Sequence, residues 1–238
     1  TTLFRSRVFT YTIGNFSFMR CLEQIRNDVC YHKLPVTVVA VGGGFAYGAM
    51  GYTHHAVEDI AMLRVLPNLN VIAPGDPVEA ALAVRAICAQ NNPSYLRLGR
   101  GGEKTVHEAT PDFALGKAIV MKEGAKATII TSAATLDIAA EAAKETGAAL
   151  ISMPVLAPFD KNTIAAIDTS LIVTVEEHGV GGLASLVAEA IAEGDKQVKL
   201  RTLYARKHPP AEAGDRNALR EFQGITAKNI AVTIRNNL

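Results

Sequence analysis

Two adjacent histidines close the stretch GGGFAYGAMGYTHHAVED, Gly42 to Asp59, which follows the apolar run VTVVAV. Its glycines do not form a dinucleotide fingerprint, because Tyr47 stands three positions after Gly44 where GxGxxG needs another residue pattern, and no GK[ST] follows. A nucleotide loop is therefore excluded. What remains is a pliable loop at the carboxyl end of a strand, the place where open parallel sheets hold ligands. A helix starting at Thr53 would set His54 beside Glu58 and His55 beside Asp59. Metal ligation by this pair would need a third ligand in register, and none is supplied, so no metal is assigned to the chain. Two readings stay open. In one, Thr53 caps a helix and both imidazoles are surface groups in its first turn. In the other, an imidazole titrating near ~6.5 donates a hydrogen bond or carries a proton for a bound substrate.

Two further constellations carry chemistry. Phe16 and Phe18, in GNFSFMR, read as core beneath the following helix or as an aromatic face for a ligand, and in an extended segment they would point to opposite faces, so at most one stacks. Arg97 and Arg100, in YLRLGRG, end an apolar strand, and their planar, permanently charged forks suit a phosphate or carboxylate or, alternatively, interdomain salt bridges. His178, after Glu176 and Glu177 and before GVGG, reads as part of a subunit-contact loop.

The elements that must position these groups alternate between strand and helix. RVFTYTI, VTVVAV and NVIA read as strands, with helices expected over 16–31 and 77–90. A second series contains ATIITSA, ALISMP, LIVTVEE and KLRTLYA as strands, with helices over 136–146, 161–167 and 182–192. VTVVAV and LIVTV are apolar without alternation, as strands covered on both faces are. The expected fold is α/β, with two tandem domains of mostly parallel sheets flanked by helices: 7–99, a linker at 100–116 rich in Gly, Thr, Pro and charge, and 117–238.

Whole-chain properties narrow the partners. The 238 residues are 49% hydrophobic, enough for a substantial core in one or two domains. With 24 basic and 23 acidic residues the net charge is +1, which argues against nucleic acid or an anionic membrane as partner. Cys21, Cys30 and Cys88 form no CxxC pair and read as reduced, buried thiols of a cytoplasmic protein. No apolar run approaches the ~18 residues that span a bilayer.

The runs GYTHHAVEDIAMLRVLPNLNVIAPGDPVEA, SYLRLGRGG and LIVTVEEHGVGGLASLVAEAI, in that order and at fitting distances, resemble the carboxyl-terminal half of transketolases and of their relatives deoxyxylulose-phosphate synthase and the pyruvate dehydrogenase beta subunit. The resemblance runs from about Val8 onward, and is closest to the smaller subunit of transketolases built from two chains. It implies thiamine diphosphate chemistry: 7–99 would be a pyrimidine-binding-like domain incomplete at its amino end, and 117–238 a transketolase C-terminal-like domain that does not touch the reacting carbons. By motif His54 would face substrate, Phe16 or Phe18 would stack on the aminopyrimidine, and Arg100, more than Arg97, would contact phosphate. His55, which stands where a glutamine is common, would be a further substrate-binding residue. Met50 replaces an acidic residue that reads a sugar hydroxyl, and Gly42 replaces a transketolase histidine, which leaves room for another ketose or acyl donor.

The resemblance also calls for an upstream glutamate and a GDG-type magnesium and diphosphate motif, and Gly75-Asp76-Pro77 does not complete the latter. The expectation is a chain inactive alone, with a larger partner subunit supplying magnesium and diphosphate binding, a homodimeric arrangement and a sugar-phosphate substrate. The reaction expected is transfer of a two-carbon ketol unit. The rivals are a deoxyxylulose-phosphate synthase-like or dehydrogenase-like activity, and a catalytically silent dimerisation module.

Overall fold

The computed structural model describes residues 6–194, 196–206 and 213–238. In its first half, β1 (Val8–Ile13) leads through short 3₁₀ turns to α1 (Leu22–Gln24), which continues as a π-helix over Ile25–Cys30. β2 (Val36–Val41), α2 (Asp59–Leu63), β3 (Asn70–Ile72), α3 (Pro77–Cys88) and β4 (Ser94–Leu98) follow. The second half contains β5 (Ile119–Lys122), β6 (Ala127–Thr131), α4 (Leu136–Thr146), β7 (Ala149–Ser152), β8 (Val155–Ala157), α5 (Lys161–Ala166), β9 (Leu171–Val175), α6 (Leu183–Glu193), β10 (Lys199–Leu203), α7 (Arg216–Gln223) and α8 (Ala227–Arg235).

Two five-stranded sheets result, in the orders β1-β2-β4-β3-β8 and β10-β9-β6-β7-β5. All neighbouring strands are parallel except β8 against β3 and β5 against β7. β6, β7 and β9 are buried along their whole length, which explains their unalternating apolar sequence. α3 begins where Asp76 accepts the Glu79 N–H and Pro77 occupies the first turn. α4 buries Leu136, Ala139, Ala142 and Ala143 on one face and stops at Gly147 in the left-handed conformation.

The two sheets are not independent. β8, from the second half, joins the first sheet, and one apolar core runs from Val38, Val71 and Tyr95 to Ile130, Ile151 and Leu183. Residues 99–118 contain neither helix nor strand.

Two expected helices take other forms. Over 16–31, Ser17 Oγ donates to the Gly14 carbonyl at 2.7 Å and the Asn15 amide to the His55 carbonyl at 2.7 Å, bonds that hold the start in 3₁₀ turns. At Thr53 no cap forms; Tyr52–His54 is a single 3₁₀ turn and α2 begins only at Asp59, so neither His54–Glu58 nor His55–Asp59 is a helical pair. Among the cysteines Cys30 is buried, but Cys21 is half-buried and Cys88 exposed, contrary to expectation.

Candidate functional site

β2 ends at Val41, and its ladder with β4 is prolonged where the Gly42 and Gly43 amides donate to the Leu98 carbonyl at 3.0 and 2.9 Å. The chain then leaves the sheet and returns at Ala56, where Gly44 and Ala56 exchange two backbone hydrogen bonds of 2.8 and 3.0 Å. The closed loop between them consists largely of two 3₁₀ turns, Gly48–Met50 and Tyr52–His54. Gly42 has φ +94°, and a Cβ there would lie 2.2 Å from the Tyr47 ring, so the ring occupies the space of any side chain at 42.

Half-buried His54 lies at the end of the second turn, its Nδ1 3.0 Å from Thr53 Oγ1. It belongs to a row of rings and cations. The Phe16 ring meets His54 edge-on at 5.4 Å, the Tyr47 ring lies 6.5 Å from it on a second contact, the Arg20 guanidinium sits 5.5 Å from Phe16, and the Arg100 guanidinium 5.8 Å from Tyr47. Phe16 is 37% exposed, whereas Phe18 is fully buried and packs edge-on against Tyr95. Exposed Arg100 also lines a hollow of about 330 Å³ with Lys104, Asp137, Arg216 and Asn217, which His54 does not reach.

His55 and Arg97 point the other way. His55 is fully buried; its Nε2 donates to the Gly48 carbonyl at 3.1 Å, its ring stands edge-on to Phe45, and Nδ1 has no partner among the described residues. Arg97 is 3% exposed. Its Nε donates to Asp59 at 2.8 Å, and its Nη2 donates to the carbonyls of Ala56 at 2.8 Å and Glu177 at 3.0 Å. Tyr95 adds a 2.7 Å bond to the same Asp59 oxygen. The guanidinium is enclosed by protein: its ion pair, with Asp59, lies within the first half, and it reaches the second half through the Glu177 backbone carbonyl rather than through an interdomain salt bridge. His55 likewise braces the loop from within rather than facing outward.

The end of β9 completes the network. Burial alone pushes the Glu177 carboxyl up, but Arg216 and Arg220 bring it down to about 2. Arg216 donates to it through Nε at 2.9 Å and Nη2 at 3.0 Å, and Arg220 through Nε. Burial drives Glu176 up to about 7 against the Leu183 and Ala184 amides, which it caps at the start of α6. Burial also lowers His178 to about 4; its Nδ1 donates to the Gly179 carbonyl, and its Nε2 accepts the Ile60 amide at 3.1 Å at the start of α2. The His178 imidazole is thus buried between the two halves of this chain, while Val180, two residues on in the same loop, is exposed.

Tyr47, Arg20 and Glu177 were not singled out from the sequence. Tyr47 shared a flexible glycine loop with no period to mark it. Glu177 was a charge in an apolar run, and an acidic pair ending a buried strand is the signal that could have flagged it.

For a thiamine-type cofactor the fit is one-sided. An exposed Phe16 ring beside His54, with Asn15 next to it holding a buried carboxamide oxygen that lacks a partner among the described residues, suits a flat aminopyrimidine. No group of three or more His, Cys, Asp or Glu among the described residues could hold a metal, so the diphosphate end finds no cation site of that kind here. No helix among the described residues is long and apolar enough to cross a membrane.

Paired, mainly parallel sheets with a histidine loop at a central strand end define an α/β protein of the kind that binds ligands where its strands finish. Family models identify which kind: the transketolase pyrimidine-binding domain matches residues 3–102 and the transketolase C-terminal domain residues 116–230, and the chain belongs to the transketolase family, whose members use thiamine diphosphate. It is 36% identical over 203 residues to one of the subunits of the apulose-4-phosphate transketolase of Phocaeicola vulgatus, covering 82% of this chain and 65% of that one. It is 30% identical over 229 residues to the corresponding apulose-4-phosphate transketolase chain of Actinobacillus succinogenes, covering 93% and 74%. A solved structure described as a split gene transketolase, inactive beta4 tetramer, superposes with a TM-score of 0.84 at 33% identity over 96% of this chain and 74% of that one. The chain therefore spans 65–74% of the length of these relatives.

Proposed function

We propose that this chain is the smaller subunit of a thiamine-diphosphate-dependent transketolase, transferring a two-carbon ketol unit between sugar phosphates at a site completed by a larger partner chain. The observation that carries the reading is the contact between half-buried His54, on the loop beyond β2, and the exposed Phe16 ring, within a chain matched along its length by the two transketolase domains. In this reading residues 7–99 are the pyrimidine-binding domain, 100–116 the linker and 117–238 the C-terminal domain. The partner contributes magnesium and diphosphate binding, and two copies of this chain come together in a cytoplasmic assembly.

Bound thiamine diphosphate would supply the electron sink for the carbon–carbon bond that breaks. The residues of this chain do the rest by position. Phe16 lies against the pyrimidine ring, since its face is accessible and Phe18 is enclosed in core. His54 presents its imidazole to a substrate oxygen, donating a hydrogen bond or holding the proton that oxygen gains or loses. Arg100 offers a fixed positive charge to the phosphate end, while Arg97 and His55 hold the loop from below.

The test is calorimetric titration of thiamine diphosphate and magnesium into the chain mixed with a larger subunit that carries the diphosphate motif, followed by assay of ketol transfer. Binding in the mixture, with transfer between sugar phosphates reduced about 10²- to 10⁴-fold by His54→Ala, supports the reading. Consumption of pyruvate instead of ketose phosphate, or no binding by the mixture, overturns it.

A further inference from the structure

The second half of the chain reaches the loop that carries His54 through one carboxylate. Glu177, with its side chain 2% exposed, stands just beyond β9 of the second sheet, and its Oε2 accepts the Phe45 amide of the first half at 3.1 Å. Gly44 has φ +66°, and a Cβ there would lie 2.2 Å from that same oxygen, so the carboxylate is pressed against the loop backbone itself. The Glu177 carbonyl meanwhile accepts Arg97 Nη2, whose other acceptor is the Ala56 carbonyl at 2.8 Å. Gly44 and Ala56 are the two residues that close the loop. One residue thus fixes both ends of the segment on which His54 sits.

Glu177 is fixed in turn. Arg216 and Arg220, one turn apart on α7, hold its carboxylate, Arg216 Nη2 at 3.0 Å on the same Oε2 that accepts the Phe45 amide, and Gly214, just before that helix, donates to the Gly48 carbonyl at 3.4 Å. With two guanidiniums and a backbone amide on one carboxylate, the charge is compensated and its direction set.

We propose that Glu177 is a positioning residue for His54: it sets the loop so that the imidazole faces the reacting oxygen, and through it the second half of the chain contributes to the site. This rests on the function proposed above. A displacement of about 1 Å at a reacting group can lower rate by roughly 10²-fold, which sets the size of effect to look for.

The experiment compares wild type, Glu177→Gln, His54→Ala and the double variant in the two-chain complex, reading kcat and KM, together with the histidine NMR spectrum of the full chain labelled with ¹³C-histidine. Glu177→Gln keeps an oxygen for the Phe45 amide and removes the charge that Arg216 and Arg220 hold. Expected are a fall in kcat of about 10- to 100-fold with KM changed less than about 3-fold, no further fall when the substitution is added to His54→Ala, and a shifted or broadened His54 signal. A loss that repeats in full in the His54→Ala background, or an unmoved His54 signal, overturns the proposal. Should Glu177→Gln fail to fold, Arg216→Gln, which releases one arm and leaves Arg220 in place, must move the same signal, and an unmoved signal again refutes it. If the wild-type complex turns over no sugar phosphate, the proposed function fails, and the NMR comparison still decides for or against Glu177.

Discussion

Arg97 and Arg100 lie three residues apart at the end of one strand, yet replacing each with methionine should have opposite consequences. Arg97 and Asp59 have side chains 3% and 0% exposed, so Arg97→Met leaves a buried carboxylate whose remaining hydrogen bond comes from Tyr95, and strips a donor from the carbonyls of Ala56 and Glu177. Removing one member of a buried pair costs about 3–5 kcal/mol, a large part of a typical total of ~5–15 kcal/mol. With a urea dependence near ~3 kcal/mol per molar, the unfolding midpoint should fall by roughly 1–2 M. Arg100 is exposed, and its contact with Tyr47 at 5.8 Å is a surface cation–π pair, so Arg100→Met should leave the midpoint nearly unchanged while raising KM for a phosphorylated substrate. Adding Asp59→Asn to Arg97→Met should recover part of the loss, because the uncompensated charge is then gone. Urea titrations of the four proteins measure this directly. An Arg97→Met midpoint within about 0.3 M of wild type, or equal shifts for the two arginines, would refute the assignment of Arg97 to the interior.

The two phenylalanines should separate in the same manner. Phe16→Ala should weaken thiamine diphosphate binding by the complex about tenfold in calorimetry with little change in melting, whereas Phe18→Ala, from a fully buried site, should cost about 3–5 kcal/mol in a urea titration. Stability against pH should report the Glu176 and His178 pair. His178, near 4 when folded against 6.5 unfolded, binds its proton better in the unfolded chain, so its contribution is complete above about 6.5 and lost as pH falls towards 4. Glu176, near 7 against 4.5, binds its proton better when folded, so its contribution declines as pH rises from about 4.5 to 7. The two slopes oppose each other between about pH 4.5 and 6.5, and Glu176→Gln should expose the His178 slope, a gain of up to about 3 kcal/mol over that interval in denaturation measured at several pH values.

Much of this architecture is legible because burial writes itself into composition. β2 and β9 are apolar without alternation since helices or neighbouring chain cover both faces, and α3 and α4 announce their ends through Asp76, Pro77 and Gly147. β8 is different: three residues whose strand character comes from β3 of the other half, a partner that no local pattern reveals. The segment after β1 has helical composition, but the side chains of Asn15 and Ser17 bond the backbone and impose tighter turns. In the site, His54 could be singled out by loop position and residue type, and Phe16 only together with Phe18, through the family resemblance. The direction in which His55 and Arg97 point could not, for it depends on Gly48, Asp59 and Glu177, and the ties of Glu177 to Arg216 and Arg220 span 39 and 43 residues.

The strand that crosses from the second half into the first sheet bears on how the molecule can be taken apart. Val155–Ala157 caps the β3 edge with main-chain pairing, and the Ala73 amide reaches the Pro154 carbonyl at 2.7 Å beside it. A protease that nicks the irregular 99–118 stretch would cut the covalent thread and leave this pairing, the shared core and the Glu177 ties intact, so the fragments would travel together until denatured. Expressed separately, the first half would carry β3 as a bare edge open to any passing strand, and the second would carry β8 with nothing to pair against. The two halves are thus modules by descent but a single body in handling, and a variant library should be built on the uncut chain.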